Sequence, residues 1–332
     1  MKKVCVIGDR GHLETALEGL SSSGKCELAG VCGAGVEIPA ERVAETCGRK
    51  LGRTPRVFQG DYREMLDVIT PDAVVICGPF EEHSSMAVEA VKRNIHVFCE
   101  KPVATTLEGL DELEGSLKSN PNVKVAQMCG PHYEPGMWSA TRLAADIGTI
   151  RLLNARKSYK LGKRAAYFAN RQTSSGLIPW VGIHAISWLY HFAGRVPFRS
   201  VCASHSNAFN KGLGDMEMSA TCLFEFETGI TATASIDYFR PENPELNHGD
   251  DRLRVVGTDG TLEVESGRCH MVTATKIETF TEKPPKGKFE DFLQCIDGNP
   301  SNSMTGGDLI QVTRAALLAR ESADTYTRIR FT

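Results

Sequence analysis

Lys101 stands in the stretch HVFCEKPVATT, residues 96–106, directly after an apolar strand and before a proline. The C-terminal ends of parallel strands form the rim where ligands bind, and a cation there can meet a developing negative charge. Pro102 removes a backbone donor and restricts the residue before it. A solvated lysine at a strand end is the plainer alternative. A second candidate is the loop in VCVIGDRGHLETAL, residues 4–17, where a short apolar strand meets Gly8. Dinucleotide loops read G-x-G-x-x-G, with glycines where backbone approaches phosphate or strand. Here the second and third glycine positions hold Arg10 and Leu13, and an extra glycine sits at Gly11. A helix N-terminus still favours pyrophosphate when a glycine is lost. Arg10 can add charge while crowding the approach, and Asp9 would repel phosphate if turned inward. The third candidate, His184, lies on a helix with Trp180, Ile183, Trp188 and Leu189. A lone histidine among apolar neighbours is ordinarily a core residue.

The elements that must hold these residues follow from periodicity. Through residue 128, short apolar strands alternate with amphipathic helices: VCVIG, ELAGVCG, RVF, PDAVVICGP, HVFCEKP and NVKVAQM. Continuous apolar strands separated by helices predict a parallel sheet covered on both faces, a doubly wound α/β domain. After residue 129 the period becomes two. EMSATCLFEFETGITATASIDYF places Met218, Ala220, Cys222, Phe224 and Phe226 on one face, turns at Thr228-Gly229, and returns through Ile230 to Tyr238. This predicts an antiparallel hairpin in a large, mostly antiparallel sheet with flanking helices. The domains expected are therefore a Rossmann domain, 1–128, and a second α+β domain, 129–332. The Ser/Thr-rich opposite face (Ser219, Thr221, Thr231, Thr233, Ser235) is open to water or to a second subunit. The last helix, about 308–323, carries a stripe of Leu309, Val312, Ala316 and Ala319, with Asp308 as its N-cap. PPKGK, 284–288, reads as a loop and not as a domain linker.

Composition narrows the function classes. With 332 residues, 41% hydrophobic and a net charge of −3, the chain has enough core for two domains and no basic patch for nucleic acid. No apolar run approaches a membrane span, and the N-terminus enters a core strand without a signal peptide. The eleven cysteines are scattered and odd in number. They suggest neither a disulfide framework nor zinc, and a reducing cytoplasm suits them. The nine histidines lack metal-ligand spacing, so no metal is expected.

The run PDAVVICGPFEEHSSMAVEAVKRNIHVFCEKPVATT resembles the glucose–fructose oxidoreductase and inositol dehydrogenase (Gfo/Idh/MocA) family almost position for position. The likeness continues through PHYEP (131–135), GLIPWVGIHAISW (176–188), DDRLRVVGTDGTLEV (250–264) and LLARESADT (317–325). It implies a nicotinamide-dependent oxidoreductase that oxidises a secondary alcohol on a sugar, cyclitol or sugar acid, or reduces the matching ketone. The family's lysine, here Lys101, reaches substrate and nicotinamide together. With Lys101 placed by resemblance, His184 becomes the candidate acid/base, since histidine titrates near neutrality without tuning. The cofactor residues implied are Gly8, Asp9, Arg10, Gly11, His12, Gly33, Gly78, Pro79, His83, Glu100, Lys101 and Pro102. Candidate substrate residues are Lys101, Tyr133, Tyr159, Arg164, Trp180 and His184.

Several positions depart from the family pattern. The carboxylate usual four residues before the histidine is replaced by Trp180, whose indole either stacks on a pyranose face or packs in the core. Ser187 stands where Asp is common, and Gly78 and Phe80 differ from the Thr-Pro-Asn loop. Gly33 takes the place of the acidic residue that binds the adenine ribose. NAD and NADP both stay open, with a lean to NADP through Arg42, Arg49 or Arg53. The segment 160–176, with Lys163, Arg164 and Arg171, would suit an acidic substrate if it overhangs the pocket. The chain is expected to form a dimer or tetramer through the C-terminal sheet. The rival expectation is a member with impaired catalysis that binds sugars as a sensor or regulator, supported by Arg10, Gly33 and Trp180.

Overall fold

The structure, a computed structural model, describes residues 1–331. It divides into two compact units, residues 1–128 with 286–310, and residues 129–285 with 311–332.

In the first unit six strands and five helices alternate: β1 (Lys2–Gly8), α1 (Leu13–Ser22), β2 (Cys26–Cys32), α2 (Ala40–Leu51), β3 (Val57–Phe58), α3 (Tyr62–Ile69), β4 (Ala73–Cys77), α4 (His83–Lys92), β5 (His96–Cys99), α5 (Leu107–Ser119) and β6 (Val125–Gln127). The sheet order is β3-β2-β1-β4-β5-β6, with every pair parallel. Val4–Ile7 and Ala73–Cys77 have no exposed surface, as central strands covered on both faces require. Strand order reverses between β1 and β4, which opens the ligand crevice beyond Gly8 and Cys77.

The second unit opens with α6 (Pro135–Leu143), then β7 (Ile150–Lys160), α7 (Arg171–Ser174) and α8 (Ile183–Phe192). Strands β8 (Phe198–Ser206), β9 (Ser219–Phe226), β10 (Thr231–Arg240), β11 (Gly249–Gly257), β12 (Gly260–Glu265), β13 (Arg268–Thr273) and β14 (Ile277–Phe280) follow. Helices α9 (Lys288–Ile296) and α10 (Gly307–Thr325) and strand β15 (Ile329–Arg330) close the chain. The nine-stranded sheet runs β14-β13-β12-β11-β7-β10-β9-β8-β15 and is antiparallel except where β10 meets β7. The β9–β10 hairpin turns at Gly229, φ +82°, and buries Ala220, Cys222, Phe224, Phe226, Ala232, Ala234 and Ile236 on one face.

Two sequence expectations change. Residues 286–310 belong with the first unit, because Phe289 and Phe292 of α9 pack at ring-centroid distances of 5.2 and 5.3 Å against Phe98 of β5. The stretch 284–288 therefore does contain a crossing between units. Asp308 lies inside the first turn of α10 and is not its cap, and its N–H donates to Thr305 O at 3.2 Å. Among the described residues no helix is long and apolar enough to cross a membrane, and no group of three or more His, Cys, Asp or Glu could hold a metal.

Candidate functional site

The loop after β1 is shaped by two glycines. Gly8 has φ +76°, and a Cβ there would strike the Cys77 carbonyl, so β1 and β4 could not keep their close approach. Arg10 N–H donates to that same carbonyl at 2.8 Å. Gly11 has φ +71°, and a Cβ there would strike the Glu100 carboxylate. Asp9 does not turn toward the helix N-terminus. Its carboxylate is ion-paired with Arg42, whose Nε donates at 2.8 Å. Arg10, only 8% exposed, reaches across to Glu37 and forms an ion pair there. His12 stands at the N-cap of α1 but makes no side-chain cap bond.

Its partner is Glu100. The Glu100 carboxylate is fully buried, accepts from the His12 backbone N–H, and lies 2.7 Å from His12 Nδ1. The other oxygen accepts from Lys101 N–H at 2.7 Å. Burial alone would raise this carboxyl. The His12 charge and hydrogen bond, with Lys101 and the His12 backbone N–H, outweigh it and hold Glu100 at about 2. A carboxylate ionised at neutral pH thus ties the end of β5 to the loop after β1. Lys101 is 1% exposed and is joined to Pro102 by a cis peptide.

From below, His83 braces the same turn. Its ring nitrogens lie 2.9 Å from Pro102 O and 3.2 Å from Gly78 O, and its ring edge meets Phe80. Burial pushes this imidazole below its ordinary range, so one ring nitrogen carries the proton and donates. His83 therefore sits between the Gly78-Pro79 turn and Pro102, and its single N–H donates to only one of the two carbonyls. Gly33 is required by a tight turn: a Cβ there would strike Ile38 O, and Ala34 N–H donates to Ile38 O at 2.9 Å.

In the second unit, the helix that carries His184 does not begin as a regular α-helix. Pro179 has no N–H to give, and Ile178–Gly182 forms a π-helical turn before α8 takes over at Ile183. The four-residue spacing of Trp180 and His184 thus spans a change of helix type. Trp180 is 8% exposed, with its indole 5.6 Å from the Phe168 ring. His184 is half-buried, and its carbonyl accepts from Ser187 Oγ at 2.7 Å. Tyr133 is half-buried, 6.1 Å from the His132 ring. Arg164 stacks over Tyr238 at 4.3 Å and donates to Lys160 O at 2.9 Å. Arg171 is bound away to Glu217 at 2.9 Å and to both oxygens of Asp324 at 2.8 Å, which leaves the acidic-substrate expectation without it.

Tyr159 lines a cavity of about 450 Å³ in this unit, together with Glu134, Lys157, His248 and Asp251. Neither His184, Trp180 nor Arg164 is among its lining residues. Lys157, 4% exposed, lies over Trp188 at 4.9 Å and Tyr159 at 5.1 Å and is ion-paired with Asp251. Burial opposes its charge, but Tyr159, Asp251 and Glu134 outweigh that and raise the ammonium. Burial first, against the pull of Lys157, and then the neighbouring carboxylates of Glu134 and Asp250 raise Asp251. Sequence reading missed Glu37, Lys157 and Asp251. The only signal for Lys157 was RKSYK, which puts Lys157 and Tyr159 on one face of a strand.

Comparison with known proteins places these features. Residues 2–127 match the family model described as an oxidoreductase family with an NAD-binding Rossmann fold, and residues 143–263 match the GFO/IDH/MocA C-terminal domain. A Thermotoga maritima protein whose solved structure is described as an oxidoreductase is 38% identical. That match covers 99% of this chain and all of that one, with a TM-score of 0.92. The chain belongs to the Gfo/Idh/MocA family. Among curated relatives, the Bacillus subtilis protein named as oxidoreductase YrbE is 27% identical over 280 residues, 79% of each chain. A levoglucosan dehydrogenase solved with NADH and L-sorbose shares the fold at 17% identity. It has a TM-score of 0.81, with coverage of 100% of this chain and 99% of that one. Within the family fold, the first unit's loop, with Gly8, Gly11 and the α1 N-terminus, fits a dinucleotide diphosphate, since Arg42 holds Asp9 aside.

Proposed function

We propose that this Gfo/Idh/MocA protein is an NAD(P)-dependent oxidoreductase that interconverts a secondary alcohol and a ketone on a sugar, cyclitol or sugar acid. The observation that carries it is the Glu100–Lys101–Pro102 turn, tied through buried, ionised Glu100 to the glycine loop after β1. Gly8, Gly11, His12 and the α1 N-terminus hold the dinucleotide, and Gly78, Pro79 and Pro102, braced by His83, shape its nicotinamide end. A bound nicotinamide supplies the hydride acceptor. Lys101 stabilises negative charge on the reacting oxygen. His184 takes the hydroxyl proton in oxidation and returns it in reduction. Trp180, Tyr133, Tyr159 and Arg164 are assigned to the substrate. Named relatives with a sugar substrate, such as the levoglucosan dehydrogenase bound to NADH and L-sorbose, support the substrate class.

The polar outer face of the second unit's sheet, with Thr221, Thr231 and Thr233, is assigned to contact with another copy. The cysteines, all free and mostly buried, suit a reducing compartment, and we place the protein in the cytoplasm. The test is titration of purified protein with NADH and NADPH by nicotinamide fluorescence, followed by a screen of sugars and sugar acids. Saturable binding, with turnover that Lys101→Ala abolishes, is the expected outcome. Absence of binding and of any cofactor carried through purification would overturn it in favour of ligand sensing.

A further inference from the structure

Selection between the two nicotinamide cofactors happens at the adenine ribose, beyond the end of the second strand. In this chain β2 ends at Cys32, and Gly33 contributes no side chain. The turn that follows is tight, closed by Ala34 N–H on Ile38 O at 2.9 Å, and it brings up Glu37, four residues past Gly33. The Glu37 carboxylate meets the guanidinium of Arg10, the residue that occupies the second glycine position of the phosphate loop. An ion pair thus joins the arginine in the loop to the turn that follows the glycine at the strand end.

Two of the three arginines that could serve a 2′-phosphate, Arg42 and Arg49, already have partners. Arg42 gives Nε and Nη2 to Asp9 and Nη1 to the Glu37 carbonyl at 3.0 Å. Arg49 faces Glu45 at 3.9 Å, one turn back on α2. Glu82 also lies close enough to Arg10 to feel its charge. A 2′-phosphate brought here would meet the Glu37 carboxylate, a like charge that rejects it. A ribose diol would instead give that carboxylate two hydroxyl donors.

Resting on the oxidoreductase reading above, we propose that Arg10 and Glu37 form a clasp at the adenosine end of the dinucleotide site. With a dinucleotide bound, Glu37 would accept from the ribose diol and Arg10 would hold the diphosphate. The chain accordingly selects NAD over NADP.

Glu37 is 76% exposed, so Glu37→Gln removes the charge without touching the core, and a thermal melt checks that it folds. NADH and NADPH are titrated separately into wild type and Glu37→Gln, following nicotinamide fluorescence. Wild type is expected to bind NADH at least about tenfold more tightly than NADPH. In Glu37→Gln, NADH weakens, NADPH strengthens, and the two come within about threefold. Equal affinities in wild type, or a ratio that Glu37→Gln leaves unchanged, would overturn the clasp while leaving the oxidoreductase reading intact. Failure of both nucleotides to bind either protein would sink both together.

Discussion

Replacing Glu100 by glutamine tests the tie on which the cofactor loop depends. The carboxylate accepts from three donors, the His12 N–H, the His12 ring and the Lys101 N–H. An amide has one acceptor oxygen, so its NH2 must face a donor on one side. A folded-state value of about 2 against an ordinary 4.5 corresponds to about 3 kcal/mol of native stabilisation at pH 7. The folded value lies below the unfolded one. The contribution is therefore complete above pH 4.5 and is lost as pH falls toward 2. Glu100→Gln should cost the first unit about 3 kcal/mol at neutral pH, and the gap from wild type should close on acidification. The probes separate the units, because Trp138, Trp180 and Trp188 are the only tryptophans and all lie in the second. Urea unfolding followed by far-UV circular dichroism should show the early transition, while tryptophan fluorescence keeps its wild-type midpoint. NADH binding should weaken as well, since His12 loses its anchor. A circular dichroism transition within about 0.5 kcal/mol of wild type at pH 7 would refute the reasoning.

Two further substitutions probe the second unit through its tryptophans. His191, half-buried, lies edge-on to His132 at 4.4 Å, and desolvation, with His132 and Arg195, pushes it down to about 3. The second unit should lose up to about 5 kcal/mol as pH falls from 6.5 toward 3, and His191→Phe should flatten that slope in acid-unfolding curves. An unchanged slope would show that His191 does not carry it. Lys157→Met strands Asp251 without its counter-ion, for an expected loss of about 3–5 kcal/mol. Adding Asp251→Asn should recover part of this, and a double variant no more stable than the single would contradict the pairing.

The parallel sheet was readable because its strands are apolar throughout and its helices amphipathic, two periods that do not mimic each other. The place of Lys101 just past the end of β5 was readable from the apolar run that stops before Glu-Lys-Pro, but its burial to 1% exposure was not, since a solvated lysine fits the same sequence. Glu37 was hidden. A carboxylate was sought at the strand end, and only the turn closed by Ala34 and Ile38 shows how a residue four positions later takes up that side of the loop. Lys157 and Asp251 were hidden for a different reason. They are direct partners across β7 and β11, and strand register over 94 positions is not written in either segment. The π-turn at Ile178–Gly182 escaped because Trp180 and His184 were placed on one helix, although the missing N–H of Pro179 is a local signal.

The return of residues 286–310 to the first unit bears on how the protein is made. Phe98 leaves the ribosome 191 residues before Phe289, its aromatic neighbour. The sheet gains its sixth strand at Gln127, 162 residues before Phe289, so at roughly 5–20 residues per second it has its six strands but lacks α9 over β5 and α1 for about 8–32 seconds. Gly19 of α1, where a Cβ would stand 2.8 Å from the Phe289 side chain, marks how closely that late helix docks. During synthesis the dinucleotide half is thus open along one face until nearly the whole chain has emerged, and a chaperone that shields Phe98 has that interval in which to act.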